Sequence, residues 1–335
     1  MKSFIAPLPA DPWPSHRLRL ENVLRAASLI DPVFLNSPQF SCEPLSEALG
    51  CELTLKLETA NPIRSFKGRG AGYLVASRLA DGSLAGRRLV GASAGNWGQA
   101  LAYACRTHGI PLTLFAATTA NPLKVARMKA LGAEMVLTGH DFDAAKQAGE
   151  AHARATGGLW VADGLDPEAA EGAATIALEL LAGSDKPDIL AVPLGNGALL
   201  SGIARWAKAA QPGIEVIGVQ TMGADAMEKS WRTGTLVFPP SVATIADGIG
   251  VRVPIQEAVD DMQGLVDDVL LVEDSDIIAA MGLLFRLGGL MTEPSGAAGV
   301  AAIQSHPARF KGRRVATILC GSNLTEEQVK AWLLG

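Results

Sequence analysis

The chain has 335 residues, 48% of them hydrophobic and 19% charged, with a formal net charge of -5. This is the composition of a globular protein with a large buried core, and it excludes an intrinsically disordered one. The acidic balance provides no clustered Lys/Arg surface for nucleic acid, and no apolar run is long enough to cross a bilayer.

Residues 1–20 contain Pro7, Pro9, Pro12 and Pro14, which break any signal helix and make the segment an arm on the surface or on a partner subunit. A helix-like stretch follows, then an apolar piece at residues 32–35, with Ser37-Pro38 placed to hold a loop over a site. Residues 51–58 alternate polar and apolar, which predicts a strand ended by Asn61-Pro62. Beyond them helices are predicted over 71–79, 96–108, 122–131, 141–155, 167–181 and 201–210. Strands are predicted over 88–92, 112–116, 134–137, 159–162, 215–219 and 315–319, and residues 189–192 form a buried apolar segment. This alternation predicts an α/β protein with mostly parallel sheet covered on both faces. With no linker of low complexity, a second domain is expected as an insertion: residues 75–157 inside a larger unit made of 1–74 and 158–335. Cys42, Cys51, Cys105 and Cys320 show no metal-ligand spacing, so free thiols in a reducing compartment and a cytoplasmic location are expected.

Four stretches carry candidate chemistry. The first is Ser65-Phe66-Lys67-Gly68-Arg69-Gly70-Ala71. Lysine is the side chain that condenses with an aldehyde, and the two glycines admit a close approach of backbone to a bulky group; the plain alternative is a solvated surface lysine. The other three each follow a predicted strand, at the end where open α/β sheets bind ligands. Gly195-Asn196-Gly197-Ala198-Leu199 reads as a phosphate cradle of backbone N–H groups at a helix start, or as an ordinary glycine turn. Ser93-Ala94-Gly95-Asn96 reads as a carboxylate site, or as a helix cap. Cys320-Gly321-Ser322-Asn323 ends a strand with a thiol that, alone, reads as buried filler.

A Schiff-base lysine, a phosphate cradle and a carboxylate site together suit pyridoxal 5'-phosphate and a small-molecule amino-acid substrate. The sequence resembles the fold type II (tryptophan synthase β-like) pyridoxal-phosphate enzymes, within them the serine/threonine dehydratases. The likeness runs from about Glu52 to Asn323 through SFKGRGA (65–71), SAGN (93–96), DPEAAEGAATIALEL (166–180), GNGALLSG (195–202), TIADGIGV (244–251), EPSGAAG (293–299) and CGSN (320–323). It implies two open, mostly parallel three-layer α/β/α domains, the smaller inserted in the larger and contributing the carboxylate loop. It implies that Lys67 holds the cofactor and moves the α-proton, that Phe66 packs beside the ring with Ala246 on the opposite face, and that Asn96 meets the ring hydroxyl. Gly195, Asn196, Gly197, Ala198 and Leu199 would bind the phosphate, Ser93, Ala94 and Asn96 the substrate carboxylate, and Cys320 the ring nitrogen. A thiol holds that nitrogen protonated less well than a carboxylate does, which favours β-elimination over transamination.

The implied activity is β-elimination from a β-hydroxy amino acid such as L-threonine or L-serine, giving a 2-oxo acid and ammonia. The alternatives are β/γ-replacement of the threonine or cysteine synthase kind, racemisation, or a non-catalytic sensor on the same fold. Ala94 stands where the related racemases have a serine, so racemisation is disfavoured; the intact Lys67 opposes the sensor. Trp97 replaces a histidine or small residue and either shapes the pocket or packs its helix. Gln220 stands where many relatives have a cation-binding glutamate, so no metal is assigned. The matched motifs offer no further arginine to anchor a second carboxylate. A homodimer or higher homo-oligomer is implied by the resemblance alone, and neither nucleic acid nor membrane is expected as a partner.

Overall fold

The computed structural model describes residues 7–334. Leu89–Ala92 and Leu112–Ala116 are buried at every position, as are Ile189–Pro193. Such runs are stable only as strands with helices on both faces. The strands are β1 (Gln39–Ser41), β2 (Glu52–Leu57), β3 (Leu89–Ala92), β4 (Leu112–Ala116), β5 (Glu134–Leu137), β6 (Leu159–Val161), β7 (Ile189–Pro193), β8 (Glu215–Thr221), β9 (Asp268–Val272) and β10 (Arg314–Leu319). They form a six-stranded sheet in the order β1-β2-β10-β7-β8-β9 and a four-stranded sheet in the order β5-β4-β3-β6. All pairings are parallel except that of β1, an exposed edge strand, with β2.

The four-stranded sheet extends past residue 157, where the sequence suggested the inserted segment ends. β6 pairs with β3, Val90 opposite Trp160, and so belongs with this sheet. The proline-rich segment, from residue 7 onward, lies on its own chain. Arg205 Nη2 donates to both Asp11 carboxylate oxygens at 2.6–2.7 Å, and Arg17 pairs with Asp261. Its first six residues lie outside the described ones.

Helix ends follow local chemistry. Asn121 accepts from the backbone N–H groups of Leu123 and Lys124 ahead of Pro122–Ala130, and Asp141 accepts from Ala144 N–H ahead of Phe142–Thr156. Helix Lys67–Ala80 begins before the expected residue 71; its glycine-rich first turn carries no apolar periodicity by which the sequence would show it. That turn is placed by contact. A Cβ on Gly70 would lie 2.5 Å from the Ala169 carbonyl oxygen, and one on Gly172 would lie 2.7 Å from that of Arg69. Helices Lys67–Ala80 and Pro167–Leu180 therefore touch backbone to backbone.

The core lies on both faces of the larger sheet. Helices Pro167–Leu180 and Ala198–Ala210 cover one face. Helices Asp274–Gly288 and Pro294–Ser305 cover the other. A further cluster joins helices Lys67–Ala80 and Asn96–His108 to the smaller sheet. Among the described residues no helix is long and apolar enough to cross a membrane.

Candidate active site

The candidate stretches converge at the carboxyl ends of the strands. β3 ends into Ser93–Asn96, β6 into Asp163, β7 into Gly195–Leu199 and β10 into Cys320. They line one cavity of about 600 Å³, together with Lys67.

Lys67 is positioned by the turn before its helix. Phe66 N–H donates to the Cys320 carbonyl at 3.0 Å, and Ser322 N–H donates to the Arg64 carbonyl at 3.0 Å. The lysine turn is thereby fastened to the end of β10 beside Ser65 and Gly321, which form an isolated antiparallel bridge. Lys67 Nζ is ion-paired with Asp163 and lies 4.7 Å from the Phe66 ring centre and 5.9 Å from that of Trp97.

The glycine loop meets the requirements of a phosphate site. Gly197 holds φ +99°, and helix Ala198–Ala210 has no side-chain cap, so its first N–H groups remain available to an anion. A Cβ on Gly195 would lie 3.0 Å from the Gly248 carbonyl oxygen. Gly195, Asn196 and Leu199 face the cavity, with Gly197 and Ala198 between them in the chain.

Ser93 and Asn96 have different hydrogen-bond partners. Ser93 Oγ accepts from the N–H groups of Gly95 and Gly98 at 3.2 and 3.0 Å, bracing the first turn of the helix whose N-cap position is Gly95. Asn96 is locked from both sides instead. Its Nδ2 donates to Glu293 Oε1 at 2.7 Å, and its Oδ1 accepts from Asn323 Nδ2 at 2.8 Å. Glu293 Oε2 also accepts from Asn323 N–H at 2.9 Å. Burial, then the neighbouring Asp247, push the Glu293 carboxyl up to about 7. Burial, then Glu293, push the Cys320 thiol well above its ordinary range, so it stays neutral.

Phe66, Lys67, Ser93, Ala94, Asn96, Trp97 and Cys320 all line the cavity. Trp97 faces the cavity and packs in the core cluster of its helix, with its indole N–H unpartnered. Ala246 does not line the cavity; it is fully buried, and Asp247 and Gly248 face the cavity in its place. Ser37 also lies away from the cavity wall. Its hydroxyl donates to Glu58 Oε1 at 2.5 Å within a buried ion network. Gln220 is fully buried, its Oε1 accepting from Glu228 N–H at 3.0 Å.

Sequence reasoning gave no role to Glu293 or Asn323, although both lie inside quoted motifs. The signal for Glu293 was a carboxylate directly before the helix start Pro294-Ser295. The structure also brings cations from outside the motifs to the cavity: Lys124, paired with Asp247 at 2.5 Å, Arg252, paired with Asp143, and Lys146.

The model of the family described as pyridoxal-phosphate dependent enzyme matches residues 30–321. The chain belongs to this family. Among similar proteins, the L-threonine ammonia-lyase of Thermotoga maritima is 33% identical over 307 residues, covering 92% of this chain and 76% of the relative. An L-threo-3-hydroxyaspartate ammonia-lyase from a Pseudomonas species is 30% identical over 314 residues, covering 94% of this chain and 98% of the relative. The solved structure of maize serine racemase superimposes with a TM-score of 0.86 at 27% identity, covering 93% of this chain and 95% of that one. The two-sheet architecture of this pyridoxal-phosphate enzyme is thus the fold type II architecture that the resemblance implied.

The residues present fit the cofactor. An amine, an uncapped helix N-terminus and a neutral thiol at a strand end line one cavity.

Proposed function

We propose that this enzyme is an ammonia-lyase that eliminates water from a β-hydroxy amino acid, L-threonine and L-serine first, releasing a 2-oxo acid and ammonia. The observation that carries the reading is the neutral Cys320 thiol, which lines the same cavity as Lys67. Lys67 would hold the cofactor covalently, Gly195–Leu199 its phosphate, Asn96 its ring hydroxyl and Cys320 its ring nitrogen. When bound, the cofactor supplies an electron sink for the Cα–H bond pair.

The chain's own residues supply the rest. Lys67 Nζ takes the proton from Cα as general base. The loop Ser93–Asn96 orients the substrate carboxylate, and Phe66 and Trp97 wall the site against water. A thiol in place of a carboxylate leaves the electron sink weaker, so expulsion of the β-hydroxyl outruns reprotonation. Ala94 carries no exchangeable proton, which favours elimination over racemisation. The names of the ammonia-lyase relatives support the same reading.

The arrangement that goes with this reading is a smaller domain, residues 75–157 extended by β6, inserted in a larger one and closing the cavity with its carboxylate loop. The protein would work in the cytoplasm as a homodimer or larger homo-oligomer, without a metal at Gln220.

The test is 2-oxo acid and ammonia release by purified holoenzyme offered L-serine, L-threonine, their D-isomers and bulkier β-hydroxy amino acids. Equal release of both products from an L-isomer is expected. If no substrate gives release while the cofactor spectrum still responds to amino acids, the enzyme is a replacement enzyme that needs a second substrate.

A further inference from the structure

We propose that Asp163 is a second proton-transfer residue of this site, working in series with Lys67 to deliver the proton that the leaving hydroxyl requires. The proposal rests on the elimination reading above.

Asp163 lies just past the carboxyl end of β6, on the cavity wall. Its Oδ2 is ion-paired with Lys67 Nζ, and both side chains are largely buried, at 14% and 13% exposure. Its other oxygen, Oδ1, is buried and has no hydrogen-bond partner. A counter-ion for the lysine needs only the first oxygen. A buried carboxylate oxygen without a donor is costly, and on a cavity wall the missing donor is supplied by what the cavity binds. The chemistry that suits Oδ1 is a hydroxyl donor, which is what the β-carbon of the substrate carries.

The carboxylate is held in place. Asn196 Nδ2 donates to the Asp163 carbonyl at 3.0 Å. Gly164 follows at φ +87°, where a Cβ would lie 3.0 Å from the Asn196 carbonyl oxygen. Asp163 is therefore braced by the same loop that forms the phosphate site, so bound phosphate and proton carrier share one support.

The step balances without a further reactant. Elimination breaks Cα–H and Cβ–O, and the C–H electron pair becomes the second Cα–Cβ bond. The C–O pair departs with oxygen, which needs a proton to leave as water. The proton taken from Cα passes from Lys67 Nζ to the Asp163 carboxylate, and the carboxyl group hands a proton to the departing oxygen. One proton enters the pair and one leaves, so both residues return to their starting states.

The test compares the wild-type holoenzyme with Asp163→Asn on L-serine, on L-threonine and on β-chloro-L-alanine, whose chloride departs without a proton. Loss of a general acid costs about a hundredfold or more. The variant is expected to lose that much on the hydroxy amino acids, and at least about tenfold less on the chloro compound. Equal losses on both kinds of substrate, or no loss on serine and threonine, overturn the proposal. A second readout needs no turnover. Asp163→Asn removes the ion-pair partner that holds Lys67 Nζ, so the cofactor-free variant is expected to capture pyridoxal phosphate faster than wild type at neutral pH, followed by absorbance. Slower capture overturns the pairing on which the relay depends. Wild-type protein inert toward all three substrates overturns the elimination reading itself, and the relay with it.

Discussion

Asn96 and Glu293 stand 197 positions apart in the chain and meet at 2.7 Å, the amide donating to a buried carboxylate. The same carboxylate accepts from Asn323 N–H, and Asn323 Nδ2 returns to Asn96 Oδ1 and to the Ile63 carbonyl, each at 2.8 Å. Three segments that leave β3, β10 and the turn before Pro294–Ser305 are thus tied by one small polar network. Because every member has a partner, the amide of Asn96 has one orientation.

Replacing Glu293 by alanine strands Asn96 Nδ2 and Asn323 N–H in a buried site. The loss of buried acceptors is worth about 1–3 kcal/mol. Glu293→Ala is expected to lower the urea midpoint of the cofactor-free protein accordingly and to weaken pyridoxal-phosphate binding, since Asn96 is released. A variant with the wild-type midpoint and cofactor affinity would show that Asn96 is held by Asn323 alone.

Glu171 gives a pH-dependent prediction. Its Oε1 accepts from Arg19 N–H and from Asn22 Nδ2, both at 2.9 Å, and burial pushes its carboxyl from 4.5 up to about 7. Between those values the unfolded chain has lost the proton while the folded protein keeps it, so Glu171 lowers stability as pH rises through this window. The total effect is at most about 3 kcal/mol. Glu171→Gln keeps the Oε1 acceptor and abolishes the titration. Its stability gain over wild type should therefore grow from pH 5 to pH 8, approximately the span of the shift, in parallel urea titrations. A gain that does not change with pH would mean that Glu171 is ionised in the folded protein.

Arg69 supports the turn that carries Lys67. It is fully buried and binds Glu58 through Nε and Nη2 at 2.8 Å each, and Glu179 through Nη1 and Nη2 at 2.6 and 2.9 Å. Lys56, also buried, pairs with Glu179 at 2.7 Å, so two cations balance two carboxylates. Arg69→Met leaves one carboxylate uncompensated, at a cost of about 3–5 kcal/mol. Arg69→Met/Glu58→Gln removes the stranded charge and is expected to recover part of that loss, measured by urea unfolding. A double variant no more stable than Arg69→Met would show that packing around the guanidinium, not charge, sets the cost.

Regular alternation made most of the fold readable. Asn96–His108 and Leu112–Ala116 coincide with the spans expected from periodicity, because strands covered on both faces are uniformly apolar and glycine ends the intervening helix. Residues 226–305 gave no such signal, yet they hold β9 and helices Ala226–Thr233, Asp274–Gly288 and Pro294–Ser305. The last of these is buried from Pro294 to Ile303 and so shows no amphipathic stripe. Ala246 lies off the cavity wall: a small side chain beside a cavity residue in the chain need not face the cavity, and here the following turn Asp247–Ile249 does.

Sequence alone determined the residue types: a lysine amid glycines, small residues after strands, a thiol ending the last strand. These are local properties, fixed by backbone freedom and side-chain chemistry within a few positions. Only the tertiary structure decided that Asp163 faces Lys67 across 96 positions, that Glu293 locks Asn96, and that Ser37 joins Arg69 rather than the cavity. Such pairings depend on where parallel strands end in space, and strand order is set by crossovers through the whole core. No spacing within the chain encodes them.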